Sequence, residues 1–262
     1  MPTTYAHYTF GKEVLKSLDG DIKKIINENI DLFYIGLHGP DILFYYGPLK
    51  SNAVNKMGHE LHNKSADIFF ERAKKVINEC SDFNGACAYV MGFICHYILD
   101  SECHPYIRQK ESNALSHNEI EKEFDRSLMI NNKLNPVSFR TSSHIIPKQE
   151  YAQCISFFFE GTKKEEIFKA LKSMKFYLNF LVSPRRIKRA AIIWGLKLSG
   201  NYDNMIGLLM SYTPNEACFE INEKLLDLYE NAIEMTCNLI TEYYKNICSN
   251  EQINQRFNRN FE

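Results

Sequence analysis

The stretch Phe83-Asn-Gly-Ala-Cys-Ala-Tyr-Val-Met-Gly-Phe-Ile-Cys-His96-Tyr-Ile-Leu-Asp100-Ser-Glu-Cys-His104-Pro105 decides the fold. Its apolar part, Ala86 to Leu99, is interrupted by His96 and stopped by Asp100. A run of this length without period-two alternation predicts a helix, here over Phe83 to Ser101, buried on most faces. It is shorter than the ~20 apolar residues that cross a bilayer. His96 and Asp100 stand four apart, so on a helix they share one face about 6 Å apart. A carboxylate in such surroundings must be paired or must coordinate an ion. His104 continues that face, just before Pro105 stands ready to break the helix.

Outward from this segment, helical periodicity recurs and strand signals are scarce. Helices are expected over Tyr5 to Leu18, stopped by Asp19-Gly20, and over Ile22 to Ile30, capped by Asp21. Further helices are expected over Lys64 to Glu79 and His117 to Ile130. The second half predicts Gln149 to Phe159, Lys163 to Leu181, Pro184 to Leu198 and Asn215 to Ile247. The segment Gly36-Leu-His38-Gly39-Pro40-Asp41, followed by Gly47-Pro48, reads as an ordered loop, and Asn135 to Pro147 as a polar connector. No repeat, low-complexity tract or linker divides the chain. The expectation is all-α, one multi-helix domain over residues 1–262.

Composition excludes several classes. With 45% hydrophobic and 24% charged residues, the 262-residue chain is neither a disordered tail nor a collagen-like rod. Its formal net charge of −1, from 31 basic and 32 acidic residues, lacks the basic excess of a duplex nucleic-acid binder. The one dense basic cluster, Arg185-Arg186-Ile-Lys188-Arg189, has the spacing of a solvated helix face. Residues 1–7 show no signal-peptide pattern. The eight cysteines form no CxxC pair and read as buried free thiols, which suits a cytoplasmic protein.

Histidine distribution carries the most information about chemistry, because seven of the eight precede residue 118. His117-Asn-Glu-Ile-Glu121 repeats the i, i+4 pairing, with its phase set by Ile120, Phe124 and Leu128. Zinc accepts imidazole nitrogen and carboxylate oxygen at ~2.0–2.2 Å, so both pairs are competent ligands. A lone pair of this kind more often marks a solvated helix face, but two within a short span, with His104 between them, favour a metal. Upstream stand His7, Asp41, and His59 and His62 in Gly-His-Glu-Leu-His. His38 and His59 also have plain readings, a loop hydrogen bond and an exposed start of a helix.

In chain order, His7, Asp41, His62 (or His59), His96-x₃-Asp100, His104 and His117-x₃-Glu121 resemble the trinuclear site of the zinc-dependent phospholipase C family, whose fold the single-strand nucleases share. The motif-bearing part covers residues 2–125. The resemblance implies one zinc on Asp41, His62, His96 and Asp100, and a second on His104, His117 and Glu121. A third would take His7, a bridging Asp100 and the amino-terminal residue, which is Pro2 once the initiator Met is removed. It also implies attack of a zinc-bound hydroxide on a phosphodiester, with Asp41 as the catalytic residue that orients or deprotonates the water. The substrate would be a phospholipid or a soluble head-group ester.

The chain departs from the pattern in three places. Asp100 and His104 are four apart where well-known members have six, the chain begins Met1-Pro2 rather than with a processed Trp, and Ile42 stands where choline-specific members carry an aromatic. His62 is favoured over His59 because it leads into the next helix. Two other classes remain open: a single-strand nuclease, and a non-catalytic zinc-binding or lipid-surface protein.

Overall fold

The computed structural model describes residues 4–200, 202, 206–249 and 251–261. It is all-α. The helices are α1 (Thr4–Ser17), α2 (Gly20–Glu28), α3 (Ile30–Gly36), α4 (Ala53–Asn63), α5 (Ala66–Glu79), α6 (Phe83–Lys110), α7 (His117–Asn131), α8 (Gln149–Ser156), α9 (Lys164–Leu181), α10 (Arg186–Leu198) and α11 (Phe219–Asn246). Among the described residues β-structure is limited to one bridge between Ser112 and Leu115.

Helix α6 is the axis of the fold. Nearly every residue from Gly85 to Cys103 is buried, so this helix has no solvated face to place polar residues on. Its start is fixed by Asp82, whose carboxylate accepts the Gly85 N–H at 2.9 Å. Helices α3, α11 and α1 pack around it. The approach of α3 is backbone on backbone: a Cβ on Gly36 would lie 2.1 Å from the Tyr89 carbonyl, and one on Gly92 2.2 Å from that of Phe33. Only glycine at both positions allows this contact.

Contrary to the sequence expectation, α6 does not end at Pro105. It runs on to Lys110. Proline removes the N–H that would bond the carbonyl four residues earlier, here Ser101. Arg259 supplies the missing donor, its Nη2 lying 3.0 Å from Ser101 O. Arg259 belongs to a carboxy-terminal strap over α4, α5 and α6. Phe257 and Phe261 of the strap are fully buried, Ala66 N–H bonds Arg259 O at 2.9 Å, and Phe261 N–H bonds His62 O at 3.3 Å.

Other boundaries also differ. The helix expected over Ile22–Ile30 spans Gly20–Glu28 and ends at Asn29, with Asp19 rather than Asp21 at the N-cap, and a further helix, Ile30–Gly36, follows where none was expected. The glycine-rich loop holds a 3-10 turn over Gly39–Tyr45. Helix α4 was not expected; it is set by a capping box in which Asn52 and Asn55 exchange side-chain and backbone hydrogen bonds. The polar connector is partly internal, since Ser142, His144 and Ile145 are buried. No disulfide joins the cysteines: Cys87, Cys95, Cys103, Cys154 and Cys218 are buried, Cys80 and Cys237 half-buried, and Cys248 exposed, all as free thiols. None of the helices is long and apolar enough to cross a membrane among the described residues.

Candidate metal centre

The i, i+4 spacing does what helical geometry requires. His96, Asp100 and His104 project from one side of α6 toward α1, α4, α7 and the Gly39–Tyr45 turn. Three groups of converging donor atoms result: Asp41, His62 and His96; His7, His96 and Asp100; and His104, His117 and Glu121. Asp100 links them. Its Oδ2 lies 3.1 Å from His96 Nε2 and 3.9 Å from His62 Nε2, while Oδ1 lies 3.1 Å from His7 Nε2 and 3.6 Å from His104 Nε2. Asp41 Oδ1 stands 3.1 Å from His62 Nε2. Glu121 Oε1 stands 3.3 Å from both His104 and His117.

Several ligand candidates are held from behind, while Nδ1 of His7, His96 and His104 has no hydrogen-bond partner. His62 Nδ1 lies 2.7 Å from the Gly58 carbonyl one turn earlier, so the N–H points there and Nε2 is left with its lone pair toward Asp41. His117 Nδ1 lies 2.7 Å from Glu111, which does the same for the third group. His96 rests on Gly39, which takes φ +46° and whose missing Cβ would sit 2.2 Å from the imidazole ring. Phe261 packs against the rings of both His62 and His96, at 5.4 and 6.0 Å between centroids.

Sequence reasoning missed Asp125, which lies one turn beyond Glu121 on α7. Its two oxygens accept the Tyr5 and Ala6 N–H groups at 3.1 and 2.7 Å, capping α1 from another helix and fixing His7 beside Asp100. Burial pushes the Asp125 carboxyl up to about 7, even though those N–H groups favour its charged form. Its sequence signal was an acidic residue on the core-facing side of α7, in phase with Glu121.

The donor set suits a cation. Nε2 of His96, both oxygens of Asp41, Oδ2 of Asp100 and Oε2 of Glu121 are buried without a hydrogen-bond partner. Three buried carboxylates need positive charge beside them, from the facing imidazoles or from a bound cation. Titration behaviour agrees. Burial favours the neutral form of Asp100, yet His96, His104 and His7 hold its carboxyl well below the usual range. Glu121 is likewise lowered against burial by hydrogen bonds from His104 and His117. Burial pulls the imidazoles of His7, His62 and His117 down, but the facing Asp100, Asp41 and Glu121 raise them.

A profile of the zinc dependent phospholipase C family matches residues 6–173. The chain belongs to that family. No curated protein and no solved structure matches it. The matched span contains all three groups of converging donors and stops before α10, α11 and the strap.

Of the sequence candidates, His7, Asp41, His62, His96, Asp100, His104, His117 and Glu121 come together. His59 does not. Three residues before His62 on α4, it is turned away to the surface, where it lies against the Phe44 ring at 4.4 Å. Pro2 lies outside the described residues. The four-residue spacing of Asp100 and His104 is accommodated because α6 continues, bringing His104 to Glu121. His38 makes the loop hydrogen bond expected of it, Nε2 to Nε2 of His144 at 2.7 Å.

Beside the centre opens a cleft of about 100 Å³, lined by Glu121, Lys122 and Asp125 but otherwise mostly apolar, including Phe139, Leu181 and Met210.

Proposed function

We propose that this protein is a zinc-dependent phosphodiester hydrolase of phospholipase C type. The observation that carries the reading is the set of buried, unpartnered donors on His96, Asp41, Asp100 and Glu121, in a chain of this family. The ligands would be Asp41, His62, His96 and Asp100 for one zinc, and His104, His117 and Glu121 for a second. His7 with Asp100 would serve a third. When bound, zinc supplies Lewis acidity toward a phosphoryl oxygen and brings the pKa of a water toward neutrality.

The chain's own groups do the rest. Asp41 Oδ1 faces His62, and Oδ2 faces His96 at the longer distance of 3.9 Å. One oxygen can therefore ligate while the other orients the attacking water and takes its proton. The hydrogen bonds of His62 to Gly58 O and of His117 to Glu111 hold Nδ1 of each ring outward, so that Nε2 of the neutral tautomer would present its lone pair to a metal at the centre. The apolar lining of the cleft favours a lipid-derived diester over a single-stranded nucleic acid, which would call for a basic groove with aromatic platforms.

The test is turnover by zinc-loaded protein on an aryl phosphodiester, on phospholipid and on oligonucleotide. Chelator-sensitive cleavage of the aryl ester and of the lipid is expected. Absence of turnover on every diester at full zinc occupancy would leave a zinc-binding protein without this chemistry; preference for the oligonucleotide would make it a nuclease.

A further inference from the structure

We infer that α10, with the neighbouring face of α9, is a docking surface for an anionic lipid bilayer. Helix α10 lies almost wholly outside the core, with Ile192 as its one buried residue. Ile187, Ala191, Trp194 and Leu198 are spaced four, three and four apart and form one stripe. That stripe points to solvent: Ile187 is 87% exposed, Trp194 66% and Leu198 67%. Arg186 and Lys197 flank it, Arg185 stands at the N-cap, and the helix contains no acidic residue. Among the described residues no protein group covers the stripe. A short helix with an apolar stripe, basic flanks and a tryptophan lies in a membrane interface rather than across the bilayer.

The surface extends onto α9. Phe176 and Phe180 are stacked and exposed there, and Lys188 of α10 lies over the Phe180 ring at 5.6 Å. On its inner side α10 is anchored by Lys188 Nζ to the Val182 carbonyl and Arg189 Nη1 to that of Met210, both at about 2.6 Å.

Charge decides between a bilayer and other occupants. Residues 167–202 carry eight Lys and Arg and no Asp or Glu, leaving 23 basic against 32 acidic residues elsewhere. A second copy would set this basic patch against itself, whereas an anionic bilayer complements it. Position gives the surface a use. The carbonyl anchors of α10, Val182 and Met210, also line the cleft that contains Glu121, so a bilayer seated on α10 would meet the cleft beside the metal centre. That last consequence rests on the proposed lipid hydrolysis; the docking itself does not.

The experiment uses the intact protein with vesicles of phosphatidylcholine alone and of phosphatidylcholine with phosphatidylglycerol. Trp194 is the only tryptophan in the chain, so its emission reports the environment of the stripe. A blue shift and co-sedimentation are expected with the phosphatidylglycerol vesicles, both weakened by salt. The Arg185→Gln, Arg186→Gln double variant should partition about tenfold less or lower still, and Ile187→Glu should lose the blue shift. No binding to either vesicle, or unaltered binding by Ile187→Glu, overturns the inference. So does emission that shifts blue with protein concentration in the absence of lipid alongside a dimeric mass, which puts a second copy on this face. Hydrolysis of a water-soluble aryl phosphodiester, unchanged in Ile187→Glu, reads the metal centre alone. Docking without that hydrolysis would retire the proposed chemistry and keep the membrane surface.

Discussion

Oδ1 of Asp100 lies 3.1 Å from Nε2 of His7, while the other oxygen of the same carboxylate lies 3.1 Å from His96. One side chain thus serves two groups of donors, on the α1 side and on the α4 side of α6. Glu121, by contrast, sits in one group with His104 and His117.

Asp100→Asn should therefore lose more zinc than Glu121→Gln, since an amide in place of Asp100 weakens two groups together. Elemental analysis of the purified variants, with activity on an aryl phosphodiester, measures both. Equal losses would remove Asp100 from any bridging role.

The strap makes a coupled prediction. Arg259→Ala should destabilise the protein by about 1.5–3 kcal/mol, because it leaves the Ser101 carbonyl buried and unbonded. Pro105→Ala restores a backbone donor to that same carbonyl, so in the Pro105→Ala background the Arg259→Ala loss should shrink. Denaturant unfolding of the four proteins in a double-mutant cycle checks this; independent effects would contradict it.

Phe261→Ala should cost about 3–5 kcal/mol as a buried aromatic deletion and should also loosen zinc, since the ring backs His62 and His96. Competition with a chromogenic chelator reads the second effect. Phe261→Leu should recover most of the zinc affinity if the contact positions the ligands.

A fourth prediction concerns pH. Burial pushes the His38 imidazole well below its ordinary value, and His144 down to about 3, so the folded protein holds the pair neutral. The unfolded chain protonates both near 6.5. Between about pH 6.5 and 3 the unfolded state binds more protons, so stability falls as pH falls, by up to about 1.4 kcal/mol per pH unit for each histidine. His144→Phe keeps the stack on Tyr8, whose ring lies 4.1 Å from that of His144, but removes one titrating group. Its unfolding free energy should vary less steeply with pH than that of the native protein over this window.

Asp125→Ala should lower stability by about 1–3 kcal/mol, because the Tyr5 and Ala6 N–H groups would be buried without acceptors. It should also reduce zinc at the His7 group more than at the Glu121 group. Cobalt-substituted protein would separate the two through its spectrum.

The sequence by itself determined the all-α class and, through helical spacing, five of the converging donors, because that spacing fixes which side chains share a face before anything packs; His7, Asp41 and His62 joined them through resemblance to the family. His96, Asp100 and His104 were legible for that reason, as were His117 and Glu121. The sequence favoured His62 over His59, and the turn of α4, a helix whose asparagine capping box was not read in advance, buries His62 and leaves His59 exposed. The course of α6 past Pro105 was hidden in principle: local propensity stops the helix there, and the replacement donor, Arg259, comes from the far end of the chain. Asp125 and the His38–His144 pair escaped for the same reason, since each bonds a partner distant in sequence. The basic cluster at the start of α10 was read as a solvated face, and Arg185 and Arg186 are exposed; only the packing of Ile192 shows which side of the helix is inward. Periodicity fixes the faces of each helix, whereas long-range contacts decide what each face meets.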